Sequence, residues 1–324
     1  MGEQRGIKKE LAGLKTAVSL KDYTSYRIGG RAKYFFEAKT KEDLSKAIAM
    51  AKKFNLPFFI LGRGSNILVA DKGYHGLIIK IQNVDYQVVE ERITADSGAP
   101  LYLLLRKSIE NGLSGLEWAA GIPGTIGGAI YGNTGAFGDS MASIVRSVTV
   151  YDLESGEIKK IKRKECEFCY KESIFKKKKN LIILSCELKF KKDDKKEIME
   201  RTKKHLKYRR EKQPFDFPSA GSIFKNHEIK RIRIVRKRLL KKFPEIKEFI
   251  RQRKQIPAGF LIEKCGLKGK KSGNAQISEK HANFIINLGE AKAKDVLCLI
   301  RMAKRCVKRK FKIELKEEIQ YLGF

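Results

Sequence analysis

The feature that most constrains this chain is a glycine-rich segment at residues 115–138, in which eight of the 24 residues are glycine. Such a density is costly because glycine loses more backbone entropy on folding than any other residue. A flexible linker rich in glycine would be polar, with serine at many of its remaining positions. This segment instead carries apolar side chains, among them Ile122, Ile126 and Phe137. We therefore predict a rigid segment whose backbone wraps closely around a cofactor.

A shorter glycine-containing loop occupies residues 62–66, where two glycines flank Arg63 and are followed by Ser65 and Asn66. Glycines let backbone N–H groups approach an anion without an intervening side chain, and serine and asparagine add further donors. The loop suits a pyrophosphate, and an ordinary turn between strands explains the fragment equally well. Because it connects two strand-like runs and leads into no helix, it does not fit a Rossmann crossover.

Length and composition favour a folded protein of two or three domains, since the 324 residues are 42% hydrophobic. No apolar run approaches the ~20 residues of a membrane-spanning helix. The N-terminal residues lack the apolar stretch of a secretory signal, so we expect a cytoplasmic protein without membrane contact. We expect the six cysteines to be reduced. Cys166 and Cys169 lack the second pair that a zinc site requires, and no metal is expected.

The positive charge is unevenly distributed along the chain. The formal net charge is +33, of which the first 150 residues carry +6 and the remainder +27. Such a surface could bind nucleic acid electrostatically. No zinc finger, RNP-type strand or basic heptad array accompanies the charge, so we do not expect nucleic acid as the main ligand. A basic nucleic-acid-binding protein is kept as an alternative function.

Hydrophobic periodicity predicts a mixture of helices and strands. Helices are predicted at residues 42–55, 100–111, 192–210, 229–242, 258–265 and 293–310. Strands are predicted at residues 57–61, 67–69, 77–81, 145–153, 181–190, 284–288 and 313–321, with a hairpin turn at 154–156. Prolines and glycine between residues 214 and 221 predict a domain boundary.

Eight motifs occur in order along nearly the whole chain. They are Tyr23-Thr-Ser-Tyr-Arg-Ile-Gly-Gly30, the segments 62–66 and 115–138, Tyr170-Lys-Glu-Ser173, Ser219-Ala-Gly-Ser-Ile-Phe-Lys-Asn226, Pro257-Ala-Gly-Phe-Leu-Ile-Glu263, Gly266-Leu-Lys-Gly269 and His281-Ala-Asn-Phe284. Together they resemble the UDP-N-acetylenolpyruvoylglucosamine reductases, flavoenzymes of peptidoglycan precursor synthesis. The Ser-Ala-Gly-Ser form resembles the second of the family's two subtypes.

The resemblance implies an α+β fold. A two-lobed FAD-binding domain of the vanillyl-alcohol-oxidase type is expected at residues 1–82 and 83–205, followed by a smaller α+β substrate-binding domain at 206–324. The resemblance also implies that FAD is bound noncovalently, and the sequence agrees with this, since the first loop contains no histidine or cysteine that could bond the flavin. NADPH would be the co-substrate and a UDP-sugar the substrate, and we expect a monomer. The residues implied to hold FAD are Arg63, Gly64, Ser65, Asn66, Gly121, Gly124, Thr125, Gly127 and Gly128.

The implied reaction needs a proton donor and a group that stabilises negative charge next to a carboxylate. By resemblance Ser222 is the proton donor, and Glu318 stabilises or protonates the enolate-like intermediate. Lys171 departs from the family pattern, which has arginine at this position. Lysine keeps the charge and loses the planar, two-pronged contact with a carboxylate. We expect Lys171 to bind the substrate carboxylate with less geometric control.

A further set of residues is implied to bind substrate, namely Tyr170, Lys212, Lys225, Asn226 and His281. Lysines and amides suit phosphate because they supply charge and donors. For His281, a structural histidine bonded to the backbone is an equally good interpretation. Another FAD-dependent oxidoreductase of the same fold, acting on a different alcohol or sugar, is the alternative within flavoproteins.

Overall fold

The computed structural model describes residues 7, 10–229, 241, 243–244, 246–253 and 255–324. Contacts divide the chain into two units, each assembled from separated segments. The first unit comprises Met1–Val18, Ala32–Arg63 and His75–Glu211, and the second comprises Ser19–Arg31, Gly64–Tyr74 and Lys212–Phe324. Most of the predicted helix at 229–242 lies outside the described residues.

The N-terminal part of the first unit is a four-stranded sheet covered by one helix. The strand order is Lys15–Ser19, Arg31–Ala38, Tyr74–Ile81 and Phe58–Leu61, and the last two strands run parallel. The helix Lys41–Lys53 begins at a capping box formed by Thr40 and Asp43. Its apolar stripe is buried in a hydrophobic cluster with the sheet. The predicted helix at 42–55 and strand at 57–61 are confirmed within two residues.

The remainder of the first unit is a five-stranded antiparallel sheet with its own hydrophobic cluster. The strand order is Ile158–Lys162, Val145–Asp152, Leu181–Lys189, Arg92–Asp96 and Tyr86–Val89. The first two form the predicted hairpin. The longer helices are Leu101–Glu110 and Lys195–Lys212. The shorter elements are the helices Ile126–Tyr131, Met141–Ile144 and Ile174–Lys177, the 3-10 turns Glu117–Ala119 and Arg163–Cys166, and the strands Leu113–Ser114, Gly135–Ala136, Asp139–Ser140 and Lys191–Lys192.

The second unit is built on a four-stranded sheet with the order Ser219–Ser222, Phe284–Asn287, Ala275–Ile277 and Lys271–Ser272. The amphipathic helix Ala293–Phe311 buries its apolar stripe in this unit's core. Two small pairs complete the sheet structure. His227–Glu228 pairs with Gln255–Ile256, and Ile67–Val69 runs parallel to Gln320–Leu322. The other elements are the helices Ile246–Arg253 and Ala258–Lys264, and the 3-10 turn Leu20–Tyr23.

The predicted strand at 313–321 is wrong over most of its length, because only Gln320–Leu322 forms a strand. The alternation that suggested it is real, since Ile313, Leu315 and Ile319 are all buried. These side chains pack into the core of the second unit, while the backbone beside them makes only an isolated bridge between Glu317 and Phe224. Alternation therefore indicated burial, and it did not indicate strand pairing.

All six cysteines are unpaired, as predicted. Within the described part of the chain, no helix is both long and apolar enough to cross a bilayer.

Candidate active site

The loop at residues 62–66 follows the strand Phe58–Leu61 and requires glycine at two positions. A Cβ on Gly62 would lie 2.8 Å from the Thr125 hydroxyl oxygen. Gly64 has a φ of +61°, and a Cβ there would lie 2.3 Å from the Tyr23 carbonyl oxygen. The turn conformation and the close approach of two neighbouring segments therefore both favour glycine here.

The second glycine-rich segment packs against the first loop through Thr125. Its hydroxyl accepts a hydrogen bond of 3.3 Å from the Gly128 N–H, at the start of the helix Ile126–Tyr131. The Gly127 N–H donates to the Ser97 carbonyl at 2.9 Å, and a Cβ on Gly127 would lie 2.7 Å from the Ser97 Cβ. Gly121 and Gly124 have φ values of +77° and +145°. The segment is a rigid, closely packed structure, as its sequence predicted.

Two buried polar side chains beside this segment have no protein partner among the described residues. They are the Ser97 hydroxyl and the Asn83 amide, whose nitrogen and oxygen are both unsatisfied. Ser97 is 1% exposed and Asn83 is 5% exposed. A buried polar group without a partner is costly, so such groups indicate a polar ligand or ordered water.

Two cations, Lys80 and Arg63, lie where the strand Phe58–Leu61 ends and the first loop begins. Lys80 is paired with Leu61 in the strand register, and Arg63 follows two residues after Leu61. Burial and, to a smaller degree, the charge of Arg63 lower the pKa of Lys80. Closely placed cations are stabilised by an anion. Together with the glycine loops and the unsatisfied polar groups, they fit the diphosphate and polar parts of FAD.

Lys171 lies on a tight turn of the first unit that is anchored to the glycine-rich segment. The Asn133 side chain donates to the Cys169 carbonyl at 2.7 Å, and the buried Ser173 hydroxyl donates to the Tyr131 carbonyl at 2.7 Å. Lys171 has a φ of +56° and is half-buried, as is Tyr170. The backbone from which the Lys171 side chain extends is thus fixed on both sides.

Ser222 ends the strand Ser219–Ser222, which pairs with Phe284–Asn287. An irregularity separates the pairing of Ser219 from that of Ser222, and within it Gly221 has a φ of +73°. Such a bulge redirects the side chains that follow it. Ser222 is half-buried.

Glu318 lies beside Ser222 in the same unit. The Glu318 N–H donates to the carbonyl of Ile223 at 2.7 Å, and Lys225 donates through its N–H to the Lys316 carbonyl at 2.8 Å. The Glu318 carbonyl accepts a 3.1 Å hydrogen bond from the Asn66 side chain. The structure therefore places two of the three predicted catalytic residues on hydrogen-bonded neighbouring segments of one unit, while Lys171 belongs to the other unit.

Two of the predicted substrate residues of the second unit, Asn226 and His281, lie at the start of the helix Ala258–Lys264. The Asn226 oxygen accepts a 3.2 Å hydrogen bond from the Ala258 N–H. His281 Nδ1 accepts a 3.2 Å hydrogen bond from the Asn283 N–H, and a Cβ on Gly259 would lie 3.2 Å from the His281 ring. Burial lowers the pKa of His281, which favours the neutral form of the ring. Lys212 is exposed at the end of its helix.

Two cations that the structure places near the glycine-rich segments were not predicted from the sequence. Lys80 gave a signal, since it is the single charged residue within the apolar run at 77–81. Arg209 gave none, because it is surrounded by other basic residues in a charged helix. In the structure Arg209 is only 8% exposed, donates to the Trp118 carbonyl and lies over the Phe137 ring.

Comparisons with known proteins agree with this geometry. Residues 213–322 match the family model described as UDP-N-acetylenolpyruvoylglucosamine reductase, C-terminal domain, and residues 32–162 match an FAD binding domain. The UDP-N-acetylenolpyruvoylglucosamine reductase of Anoxybacillus flavithermus is 37% identical over 319 residues, covering 98% of this chain and 97% of its own. That of Caldicellulosiruptor bescii is 39% identical over 307 residues, covering 94% and 89%.

A solved structure shows the same fold. The crystal structure of UDP-N-acetylenolpyruvylglucosamine reductase from Thermus caldophilus matches with a TM-score of 0.75 and 32% sequence identity, over 96% of this chain and 98% of the other. The predicted fold class is confirmed, with a vanillyl-alcohol-oxidase-type FAD-binding domain followed by the family's C-terminal domain. The chain belongs to the UDP-N-acetylenolpyruvoylglucosamine reductase family, the FAD-containing, NADPH-dependent oxidoreductases that reduce UDP-N-acetylglucosamine enolpyruvate in peptidoglycan precursor synthesis.

Proposed function

We propose that this chain carries out the family's reaction with Ser222 as proton donor, Glu318 as its partner and Lys171 as the carboxylate-binding cation. The observation that carries the proposal is the contact between the strand that ends at Ser222 and the segment that carries Glu318, made by the hydrogen bond from the Glu318 N–H to the Ile223 carbonyl and the isolated bridge between Phe224 and Glu317. When bound, FAD supplies the redox chemistry, accepting hydride from NADPH and passing it to the enolpyruvyl methylene carbon.

The protein residues stabilise the negative charge of the intermediate and supply its proton. Hydride addition to the methylene carbon leaves negative charge on the adjacent carbon and its carboxylate. Lys171 stabilises that charge electrostatically, and the Ser222 hydroxyl donates one proton to the adjacent carbon and regains a proton from solvent. Glu318 stabilises the same intermediate and, when it carries a proton, can supply that single proton in place of Ser222. The product is UDP-N-acetylmuramate.

The cofactor is held by residues from both glycine loops. Arg63, Gly64, Ser65 and Asn66 of the first loop contact the FAD pyrophosphate and its neighbouring groups, as do Gly121, Gly124, Thr125, Gly127 and Gly128 of the second. Support comes from the close packing of Gly62 on Thr125, and from the unsatisfied polar atoms of Ser97 and Asn83. Lys80 adds positive charge at the same strand end.

The UDP part of the substrate is bound by Tyr170, Lys212, Lys225, Asn226 and His281. Support comes from the arrangement of Asn226 and His281 around the start of one helix. His281 also has the structural role that its sequence context allowed, since its Nδ1 accepts from the backbone. The neutral ring would offer its other nitrogen as a donor.

We also propose the finer features that the resemblance implies. The Ser219-Ala-Gly-Ser222 sequence supports the second subtype. A three-part division at residues 82 and 205 is supported by the two separate hydrophobic clusters of the first unit and by the start of the C-terminal family model at residue 213. We further propose that the protein is a cytoplasmic monomer, which light scattering on the purified enzyme would test.

Rapid-reaction kinetics test the proposed roles. We expect a yellow protein with a flavin spectrum that NADPH bleaches, and the UDP-enolpyruvyl sugar should restore the oxidised spectrum. Ser222→Ala should leave reduction by NADPH within twofold and slow reoxidation by substrate about a hundredfold or more. Ser155→Ala, at an exposed hairpin turn, is the matched control and should change neither step.

Three outcomes would contradict the proposal. A colourless protein that takes up no added FAD would remove its basis. Equal slowing of both steps by Ser222→Ala would show that the serine has another role. Rapid reoxidation by oxygen with no response to the UDP-sugar would favour an oxidase of the same fold.

A further inference from the structure

A turn near the N-terminus is bonded both to the strand that carries Ser222 and to the first glycine loop. The Ser25 hydroxyl donates to the Ser219 carbonyl at 2.8 Å, although the two residues are 194 positions apart. The Ser25 N–H donates to the Gly64 carbonyl at 3.2 Å. Ser25 therefore ties the start of the strand Ser219–Ser222 to the beginning of the loop.

The other end of the same loop is bonded to the segment that carries Glu318. The Asn66 side-chain nitrogen donates to the Glu318 carbonyl at 3.1 Å, across 252 positions. The Gln320 N–H donates to the Asn66 carbonyl at 2.9 Å. The Glu318 N–H in turn donates to the carbonyl of Ile223, the residue after Ser222.

These bonds close into a ring within the second unit. It runs from Ser219 to Ser25, through the loop from Gly64 to Asn66, on to Glu318 and back to the strand of Ser222. Gly64 is buried against the backbone of the Ser25 turn, which leaves the loop little freedom to move independently. Bonds that form a closed set constrain one another, so breaking one loosens the rest.

We propose that Ser25 and Asn66 are positioning residues that fix Ser222 and Glu318 relative to each other and to the loop at 64–66. This inference rests on the proposed function of Ser222 and Glu318. A role for Asn66 as a pyrophosphate ligand alone does not account for its bond to the Glu318 carbonyl. The loop would therefore have two tasks, to hold the cofactor and to hold the pair of proton-handling groups.

Half-reaction kinetics provide the first test. Asn66→Asp keeps the shape of the side chain and replaces the donor nitrogen with an oxygen, and Ser25→Ala removes the hydroxyl. Each should slow reoxidation by the UDP-enolpyruvyl sugar about tenfold, the factor typical of one lost hydrogen bond. In Ser25→Ala, which lies outside the proposed cofactor contacts, reduction by NADPH should stay within about twofold, and Asn66→Asp is compared at saturating FAD because Asn66 is also a proposed cofactor contact. Ser25→Thr, which keeps the hydroxyl, should restore the rate.

The ring predicts a characteristic non-additivity. The bonds constrain one another, so the double variant should lose less than the product of the two single losses. Ser155→Ala, at the exposed hairpin turn of the first unit, is the control and should change neither half-reaction.

Hydrogen exchange tests the ring without requiring catalytic turnover. In Asn66→Asp, the backbone amides of residues 316–320 and 219–223 should exchange faster, by about the same tenfold factor, than in the wild-type holoenzyme. If the wild-type enzyme shows no substrate-dependent NADPH oxidation, the proposed function fails. Hydrogen exchange would still decide whether the ring holds the segments at residues 219–223 and 316–320 together.

Three results would overturn the inference. One is unchanged exchange at residues 219–223 and 316–320 in Asn66→Asp and Ser25→Ala. Another is a loss in both half-reactions that follows FAD affinity, which would make Asn66 a cofactor ligand only. Multiplicative losses in the double variant would likewise show two independent contacts and no ring.

Discussion

Lys171 extends from a backbone that its neighbours hold in an unfavourable conformation. A φ of +56° costs energy for a residue with a β-carbon, and such strain persists only where surrounding contacts impose it. Here the Lys176 side chain donates to the Lys171 carbonyl at 2.7 Å, and Ser173 is locked to Tyr131. The difference between lysine and the family's arginine is therefore confined to the head group.

The first residue-scale prediction concerns that head group. Lys171→Arg should preserve or raise the rate of reoxidation and lower the KM for the UDP-enolpyruvyl sugar, because the planar guanidinium binds a carboxylate with two bonds. Lys171→Met, which lacks the charge, should lose about a hundredfold. Steady-state and rapid-reaction kinetics measure both. A large loss in Lys171→Arg would show that the surroundings have adapted to lysine.

Arg209 and Arg201 lie on the same helix and differ in their partners. Arg201 contacts Glu117, which is 7% exposed, at 3.0 Å and Asp193 at 2.5 Å. Arg209 is buried against a carbonyl and an aromatic ring, and its Nε has no partner among the described residues. Burial lowers the pKa of Arg209 to about 10, which shows that its charge is poorly compensated.

Replacing these two arginines should therefore have unequal effects on stability. Arg201→Met leaves a buried carboxylate without its cation and should lower the free energy of unfolding by about 2 kcal/mol or more. Arg209→Met removes a costly buried charge and should change it by less than about 1 kcal/mol. Urea unfolding of the flavin-free protein measures both. A larger loss for Arg209→Met than for Arg201→Met would contradict this interpretation.

At the scale of elements, the Asp152 carboxylate stabilises the turn of the hairpin formed by Val145–Asp152 and Ile158–Lys162. Asp152 accepts hydrogen bonds from the Lys159 ammonium at 2.7 Å, the Glu154 N–H at 3.0 Å and the Asn180 amide at 2.9 Å. These donors, led by Lys159, hold the pKa of Asp152 well below its usual range. The carboxylate thus contributes stability wherever it is ionised in the folded protein.

The pH dependence of that contribution follows from its sign. Because the pKa of Asp152 is lower in the folded protein than in the unfolded chain, its carboxylate stabilises the fold at pH values above the unfolded pKa of about 3.9. This stabilisation is lost as the pH falls through the pKa of the folded state. Asp152→Asn should lower the Tm at pH 7, and the difference from wild type should shrink below about pH 4. Asp85→Asn, at an exposed aspartate, is the control. A constant difference across this range would contradict the assignment.

Elements with strong local signals were predictable from the sequence. The helix Ala293–Phe311 has an apolar stripe of helical period and was predicted within one residue. The segment at 313–319 was mispredicted because alternation reports which side chains face a core, and hydrogen bonding to another strand depends on distant partners. The same limit applies to Asn66, whose sequence context indicated a phosphate ligand and gave no sign of its bond to the Glu318 carbonyl.

At the scale of the whole molecule, the second unit is assembled from segments that are far apart in the chain. It takes in Ser19–Arg31 and Gly64–Tyr74 along with the C-terminal residues. The parallel pairing of Ile67–Val69 with Gln320–Leu322 is one of the contacts that join them. Such pairings leave no local trace in a sequence, because each partner strand is three residues long and carries no information about the other.

From the net charge of +33 we predict how the thermal stability of the whole molecule depends on salt. Like charges repel one another most strongly in the compact state, and salt screens that repulsion over a Debye length of about 10 Å at 0.1 M. The Tm should therefore rise as sodium chloride increases from about 0.02 to 0.5 M. Differential scanning calorimetry measures this. A falling Tm would show that the surface ion pairs outweigh the repulsion.

The strand pairing between Ile67–Val69 and Gln320–Leu322 also bears on the order of events during folding. Contacts between remote parts of a chain form late, because the entropy of closing the intervening loop must be overcome before they stabilise anything. The first unit's antiparallel hairpin needs only neighbouring residues, whereas the second unit must wait for three dispersed segments to meet. The apolar surfaces of the C-terminal segments should therefore stay exposed for longer during refolding than those of the hairpin, and aggregation at high protein concentration should compete with this late step.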